Sequence, residues 1–503
     1  MDTARAFGDN LHDGSSAGLP SEQDLVNIGS RKNFGIIGSL QTNERVTEKI
    51  YWLRNDQEPP IAEDFRGWML RAPWKKTFDD ETLFCEPQIL HQVISSKSIF
   101  DGLEKREIQR ARIHSNPFET IRVVFFLNRD AVKMANIDRA CNFMFTNPTT
   151  ANPNEILYFA NVCAGPGGFK TFHPFYGPKG DGNIYDLENQ LAYQQLIMNH
   201  TQGQGVHFMM ADGGFSVVGI ESIQEILSKQ LYLCQCLVAL KIVRTGGHFV
   251  TKLFDLFTPF SGGLIYLLYR CFEKISIFKP NTSRPGNSER YLICEKKKSE
   301  IEAVINYLSY AREVLLRADG NGDIRELVPV ELLQDADSFY NYICSSNNDL
   351  GRKQVMGLLK IAAFAENRNL SEPKQTQMRK ECLEYWHLPD QTRIVPKLLK
   401  PEERLRSIVV ESFNVTTNIL EIPCDWYAVL CGSDAGGRTP SKQLTFYLGM
   451  GRTNVFRLVK NSWERADNIE LPPNTFVYAE LVEGLRGLEN NIRRTEALHI
   501  VVA

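Results

Sequence analysis

Four residues have the types and spacing of a proton-handling cluster: Lys133, Asp212, Lys252 and Glu289. Asp212 closes the apolar run Val206-His-Phe-Met-Met-Ala, and Lys252 closes Gly246-Gly-His-Phe-Val-Thr; both runs are strand-like. Glu289 stands just ahead of a third run, Arg290-Tyr-Leu-Ile-Cys. Lys133 lies upstream in Asn128-Arg-Asp-Ala-Val-Lys133-Met-Ala-Asn. In an open α/β sheet, ligands and reacting groups collect at the carboxyl ends of the strands. A lysine takes a proton from a weakly acidic hydroxyl only when its ammonium pKa falls toward neutrality, which burial and a neighbouring cation both promote. Lys252 is therefore the candidate base and Lys133 the cation that depresses it, with Asp212 orienting the lysine. Such titrations are coupled, so no single pKa belongs to one residue. Any one of the four, alone, is an ordinary surface ion-pair residue. The joint pattern carries the reading.

The glycine-rich turn Cys163-Ala-Gly165-Pro-Gly167-Gly168-Phe169 follows the apolar stretch Ile156-Leu-Tyr-Phe-Ala. Glycine clusters also mark ordinary turns, so this one counts only beside the four residues. Around these features the chain divides into three parts. Residues 1–60 are polar, punctuated by Gly and Ser, and read as a flexible N-terminal segment. Residues 61–400 hold a β/α core from about 155 to 300 with helical flanks. On the N-terminal flank, Leu90, Val93 and Ile94 share one face, as do Ile121, Val124 and Phe125. Between Asp212 and Lys252 an amphipathic helix carries Ile223, Leu227, Leu231, Cys234 and Leu237, and stops at Arg244-Thr-Gly246-Gly247. Residues 401–503 change to short β-like runs: Trp426-Tyr-Ala-Val-Leu, Gln443-Leu-Thr-Phe-Tyr-Leu and Thr475-Phe-Val-Tyr-Ala-Glu-Leu-Val. They form a smaller β-rich module. The fold class is α/β.

Bulk properties exclude little. The chain has 503 residues, 43% hydrophobic and 23% charged, with a net charge of −3. An acidic balance does not rule out nucleic acid, because the local field decides. Eleven cysteines without a CxxC pair predict reduced thiols, with Cys234 and Cys236 as buried structural ones. No signal peptide opens the chain, and no apolar run approaches the roughly 20 residues of a membrane helix. Asp319-Gly-Asn321-Gly-Asp323 resembles the start of a calcium loop. Ile324, however, stands where glycine is needed, and Val330 replaces the twelfth-position glutamate. It reads as a polar turn.

The four residues resemble the Lys-Asp-Lys-Glu tetrad of the FtsJ-type 2′-O-methyltransferases. Longer stretches resemble the animal cap-specific mRNA members of that group: Phe143-Met-Phe-Thr-Asn-Pro, Val162-Cys-Ala-Gly-Pro-Gly-Gly-Phe, Met210-Ala-Asp-Gly-Gly-Phe-Ser, Ile242-Val-Arg-Thr-Gly-Gly-His-Phe and Phe254-Asp-Leu-Phe-Thr-Pro-Phe-Ser. The resemblance runs from about residue 65 to the end. It implies a Rossmann-like, S-adenosylmethionine-dependent methyltransferase domain that acts on the first transcribed nucleotide of m7G-capped RNA in the nucleus, without a metal. The chemistry is an in-line displacement in which Glu289 holds Lys133 or the ribose. Matching positions imply that Asn128, Cys163, Ala164, Gly165, Pro166, Gly167, Gly168, Phe169, Asn183 and Ile184 contact the cofactor. Lys97, Ser98, Ile99, Phe100, Asp101, Arg112, Ser222, Ile223, Gln224 and Glu289 fall on positions that contact the capped RNA. Phe100 would stack on the methylated guanine, or serve as an ordinary core residue. Lys97 and Arg112 would engage phosphates, or stand as solvated helix charges. Residues beyond about 405 resemble a guanylyltransferase-like module. They lack its Lys-x-Asp-Gly nucleophile motif, so a passive RNA or partner surface is expected.

The chain departs from the group after the glycine loop. Only Phe-Lys-Thr-Phe-His-Pro-Phe-Tyr-Gly-Pro-Lys-Gly-Asp-Gly separates Gly168 from Asn183. A crossover with its helix needs at least about 10–12 residues, and a second strand needs more. A helix and strand that wall the cofactor site are therefore expected to be missing, with Asn183, or Asp181 nearby, where an acidic contact would stand. Two explanations are a deletion in the reading of the gene and a reduced enzyme. Rival functions are a cap-binding pseudoenzyme and an rRNA or tRNA 2′-O-methyltransferase. Contacts with RNA polymerase II or a helicase would run through modules absent or truncated in this chain.

Overall fold

The computed structural model describes residues 45–75, 77, 80–100, 103–121, 128–148, 155–164, 174–215, 217, 221–317 and 323–390, and three strands further on. They fall in two compact units, residues 1–392 and 393–503.

The first unit is built on a six-stranded mixed sheet. Its strands are β1 (Leu53–Arg54), β3 (Phe159–Val162), β4 (Val206–Ala211), β5 (Val243–Leu253), β6 (Phe272–Phe278) and β7 (Arg290–Lys297), in the order β1-β6-β7-β5-β4-β3. β3, β4 and β5 run parallel, whereas β7 runs antiparallel to both β5 and β6. Every residue of β4 is buried. That burial matches a parallel strand covered on both faces, and explains its unbroken apolar text. Among the described residues β3 is the outermost strand, and one helix, α4 (Leu187–His200), separates it from β4.

Helices α1 (Pro87–Ser98), α2 (Lys105–Ser115) and α3 (Arg129–Ala140) precede β3. Leu90 and Val93 of α1 are buried and Ile94 is half-buried. Ile121 is buried in irregular chain, and Val124 and Phe125 lie outside the described residues. After β4 comes a single 3₁₀ turn (Glu221–Ile223) and then α5 (Gln224–Ile242). An amphipathic α5 was the expectation; in the structure it is buried on nearly every side, with Leu231 through Leu240 all inaccessible. Neighbours on several sides are the cause: α5 packs on β4, β5, α4, α6 (Pro259–Cys271) and α7 (Glu302–Leu316). Ile223 belongs to the preceding turn and Leu227 is only half-buried.

The Arg244–Gly247 stretch also differs from the expected turn. β5 begins at Val243, and its pairing with β4 slips between Val206↔Val243 and Phe208↔His248, so the stretch bulges from an existing strand. Gly246 takes the left-handed φ of +76° that the bulge requires. The Arg244 guanidinium ties the bulge down through Gly205 O and Glu155.

The main core gathers Leu233 and Leu237 of α5, Phe249 and Leu253 of β5, Leu264 and Leu268 of α6, Ile275 of β6 and Leu292 of β7. β2 (Leu70–Ala72) pairs with β8 (Asp323–Glu326), whose Asp323 receives Lys229 at 2.8 Å. The rest of the calcium-like turn, residues 319–322, lies outside the described residues. Helices α8 (Val330–Asp335), α9 (Asp337–Glu366) and α10 (Gln375–Tyr385) complete the unit, with α9 bracing α1 and α2. No helix among the described residues is long and apolar enough to cross a membrane.

In the second unit, β9 (Tyr447–Gly449), β10 (Val455–Val459) and β11 (Ser462–Ala466) form an antiparallel sheet centred on β10. The runs at 426–430 and 475–482 lie outside the described residues.

Candidate active site

Asp212 is the first residue after β4, and Lys252 is the penultimate residue of β5. The pairing Ala211↔Thr251 sets them side by side. Lys252 Nζ lies 2.8 Å from Asp212 Oδ1 and donates to the Asp212 main-chain oxygen at 2.9 Å. Glu289 immediately precedes β7, and its Oε2 receives Lys133 Nζ at 2.8 Å from α3. Ser283 Oγ donates to the other Glu289 oxygen at 2.6 Å. The four predicted residues thus meet as two lysine–carboxylate pairs at one end of the central strands. Their side chains are 8–13% exposed.

Asp130, one helical turn before Lys133, enters the same cluster. Its carboxylate takes Lys133 Nζ at 3.1 Å. Tyr291 stands opposite Lys252 in the β5–β7 register, and its hydroxyl donates to Asp212 Oδ1 at 3.2 Å.

These contacts divide the charges unevenly. Burial favours a neutral Glu289, but the Lys133 and Lys252 ammonium groups and the Ser283 hydrogen bond win, holding it down to about 2. Asp212 goes the other way. Burial, helped by the Asp130 and Glu289 carboxylates, outweighs both lysines and pushes it up to about 6. Burial opposes the charge on Lys133, yet Glu289, Asp212 and Asp130 hold its pKa above the ordinary lysine range. Lys133 is therefore a paired cation held between two carboxylates: Glu289, which was expected to hold it or the ribose, and Asp130, which was not expected.

Small residues let this packing close. A side chain at Gly214 would place its Cβ 3.2 Å from Lys252 Nζ. At Gly213 a Cβ would strike the Gln235 carbonyl oxygen, which accepts the Gly213 N–H at 2.9 Å. Gln235 also donates to Thr251 Oγ1 at 3.3 Å, fixing the Asp212 turn against β5.

The predicted cofactor positions are spread around the ends of β3 and α4. Cys163 leaves β3 exposed, in the left-handed conformation at φ +59°, followed by half-buried Ala164. Gly165, Pro166, Gly167, Gly168 and Phe169 lie outside the described residues. Asn128 caps α3, accepting the Ala131 N–H at 3.0 Å. Asn183 is exposed in a local turn, where its N–H reaches Asp181 Oδ1 and its side chain accepts from Tyr185 N. Ile184 packs on the main core. Beside that turn, the side-chain oxygens of Asn189 and Gln190 are buried without a hydrogen-bond partner among the described residues.

The predicted RNA positions divide. Lys97 does not present a free ammonium: Nζ is 2.9 Å from buried Asp255, which also holds Arg290 at 2.9 Å. Arg290 in turn follows Glu289. Gln224 accepts from Ser288 Oγ at 3.1 Å, on the other side of Glu289. Phe100 is half-buried against Ala111, Ile361 and Phe364, and Ile99 packs beside Ile89 and Val93. Ser98 turns back to the Ile94 carbonyl. Ser222 is exposed and Ile223 packs by Leu90 and Phe257. Arg112 is half-buried in the last turn of α2, and Asp101 lies outside the described residues. Asp130, Ser283, Tyr291, Asp255 and Gln235 were not anticipated. Two of them carry a signal in the text: Asp130 is three residues before Lys133 on one helix face, and Tyr291 is two residues after Glu289 at strand spacing.

A mixed sheet with the lysine–carboxylate pairs at its strand ends defines the class. Residues 171–297 match the FtsJ-like methyltransferase family, and the chain carries an FtsJ-like methyltransferase domain. Asp212, Lys252 and Glu289 fall within that match and Lys133 precedes it. Over most of its length the chain is similar to proteins named cap-specific mRNA (nucleoside-2′-O-)-methyltransferase 1. It is 41% identical to that of Drosophila melanogaster over 91% of this chain and 66% of the relative. It is 39% identical to that of Xenopus laevis over 95% and 63%, and 38% identical to that of Homo sapiens over 90% and 61%. The chain spans a little under two thirds of the length of these relatives.

Proposed function

We propose that this protein methylates the ribose 2′-hydroxyl of the first transcribed nucleotide of m7G-capped RNA, using S-adenosylmethionine. The observation that carries the reading is the pair of buried ion pairs, Lys252–Asp212 and Lys133–Glu289, at the strand ends of an FtsJ-like sheet. S-adenosylmethionine, when bound, supplies an electrophilic methyl group. The chain's own residues then have the harder task of handling a proton on a hydroxyl that scarcely ionises. Lys252 is the group to receive it, held in line by two contacts to Asp212. Lys133 and Glu289 fix the opposite wall, and alignment supplies much of the acceleration.

The residues present fit the cofactor. The left-handed Cys163 turn opens the strand end, and the orphaned oxygens of Asn189 and Gln190 are acceptors suited to ribose hydroxyls or an amine. Gly165–Phe169 and Asn128 would complete that wall. Lys97–Asp101, Arg112 and Ser222–Gln224 would line the RNA side, next to Glu289. We assign residues 61–400 to the methyltransferase domain and 401–503 to the β-rich module, and place the protein in the nucleus.

A second reading, a capped-RNA-binding protein without transfer, is favoured by the position of β3 as the outermost described strand. One experiment separates them. S-adenosylmethionine is titrated calorimetrically into the chain, and methyl transfer is measured to one transcript with and without its m7G cap. Cofactor binding with transfer confined to the capped transcript supports the first reading. Capped-RNA binding without cofactor binding selects the second. Equal transfer to both transcripts points to an rRNA or tRNA type of enzyme.

A further inference from the structure

We propose that Glu119 is a positioning residue for the Lys133–Glu289 pair, holding α3 against the β6–β7 connection through two arginines. The inference rests on the methyltransferase reading and deepens it. Lys133 and Glu289 stand 156 residues apart in the chain, and their 2.8 Å contact depends on how two segments meet. α3 carries Lys133, whereas Glu289 ends the irregular stretch 279–289 between β6 and β7. An irregular stretch lacks a strand's ladder, so side chains and turns must hold it.

Glu119 lies in the turn after α2, with its side chain 8% exposed. Both of its oxygens are engaged. Oε1 takes Arg129 Nη1 at 2.9 Å and Arg284 Nη2 at 2.7 Å. Oε2 takes Arg284 Nε at 3.1 Å and Asn116 Nδ2 at 2.8 Å. Arg284 is thus held by a two-point fork, which adds both strength and direction. Arg129 opens α3 one turn before Lys133, and Arg284 follows Ser283, whose hydroxyl donates to Glu289. A second donor of Arg129 reaches the Thr282 main-chain oxygen at 2.9 Å. One turn beyond Lys133, Asn136 accepts from Thr282 N and Oγ1 at 3.2 and 3.0 Å. The connection is therefore pinned to α3 on both sides of the lysine. Burial favours a neutral Glu119, but Arg284, Arg129 and Asn116 hold its carboxyl below the usual range, so it is charged at neutral pH. That charge is what makes the two arginines a clamp. Without it, two guanidinium groups converge on one point and repel, which pushes α3 and the connection apart.

The test compares wild type, Glu119→Gln, Glu289→Gln and the double variant. In Glu119→Gln, kcat for methyl transfer to capped RNA should fall about tenfold, while the RNA KM and the S-adenosylmethionine Kd hold. A pair already broken by Glu289→Gln has no alignment left to lose, so in that background the same change should lower kcat by less than about twofold. Equal factors in the two backgrounds overturn the proposal and leave the methyltransferase reading intact. Should wild type transfer no methyl group, that reading fails on its own, and urea unfolding decides the coupling. The midpoint shift caused by Glu289→Gln should then shrink by about half or more when Glu119→Gln is present, and equal shifts overturn the proposal. Should Glu119→Gln not fold, Arg284→Lys, which keeps the charge and gives up the fork, enters the same cycle with the same two outcomes.

Discussion

Glu289→Gln isolates the anion of the buried Lys133 pair. The substitution keeps the volume and one acceptor for Ser283, and removes only the anion facing Lys133. Glu289 falls from 4.5 to about 2 in the folded state, which at about 1.4 kcal/mol per unit corresponds to about 3 kcal/mol of stability at neutral pH. Its side chain is 8% exposed, so solvent screening does not reduce that figure much. The sign is set by a depressed carboxylate: the contribution is complete above the unfolded value of 4.5 and is lost as pH falls through the folded one. Urea unfolding of wild type and Glu289→Gln should therefore differ by about 3 kcal/mol at neutral pH, and by less than half of that near pH 3. Lys133 keeps only half-exposed Asp130 in the variant, so methyl transfer falls as well. A neutral-pH difference below about 1 kcal/mol, or a gap that widens on acidification, would refute the buried-pair account.

Three further outcomes follow from the same geometry. Lys252→Ala removes the candidate base, and methyl transfer should drop by about a thousandfold while capped-RNA affinity, read by fluorescence anisotropy, stays unchanged. Gly214→Ala sets a methyl group 3.2 Å from Lys252 Nζ, so kcat should fall about tenfold with little change in cofactor affinity by calorimetry. Asp255→Ala strands Arg290, one of the most deeply buried cations, and frees Lys97; thermal or urea unfolding should show a loss of about 3–5 kcal/mol. A stable Asp255→Ala protein would mean that the two cations find other partners.

What the sequence made legible follows from which forces are local. β4 could be read because a parallel strand covered on both faces must be apolar throughout, and its polar successor Asp212 must then stand at the strand end. The same logic placed Lys252 and Glu289. It failed at Arg244–Gly247, where glycines in a bulge are written with the same letters as glycines in a turn, and only the β4 register distinguishes them. It failed again for α5, because a helix enclosed on several sides loses the polar face that an amphipathic reading assumes.

The partnerships within the site were less legible, and the reason is electrostatic. The need for cations and carboxylates at one place is set by residue type. Which cation takes which carboxylate depends on ångström-scale differences that no spacing rule contains. Lys133 was read as the cation beside Lys252, with Glu289 holding either it or the ribose; Glu289 does hold it, and the unanticipated Asp130 holds it from a second side. Lys97 was read as a phosphate ligand, yet a buried Asp255 holds it. That second pairing still joins the two halves of the reading. It runs from the α1 lysine through Asp255 to Arg290, the residue next to Glu289, so helix α1 and the segment carrying Glu289 share one buried ion network. Loss of Lys97 from that network would leave Asp255 to Arg290 alone, at the residue next to Glu289.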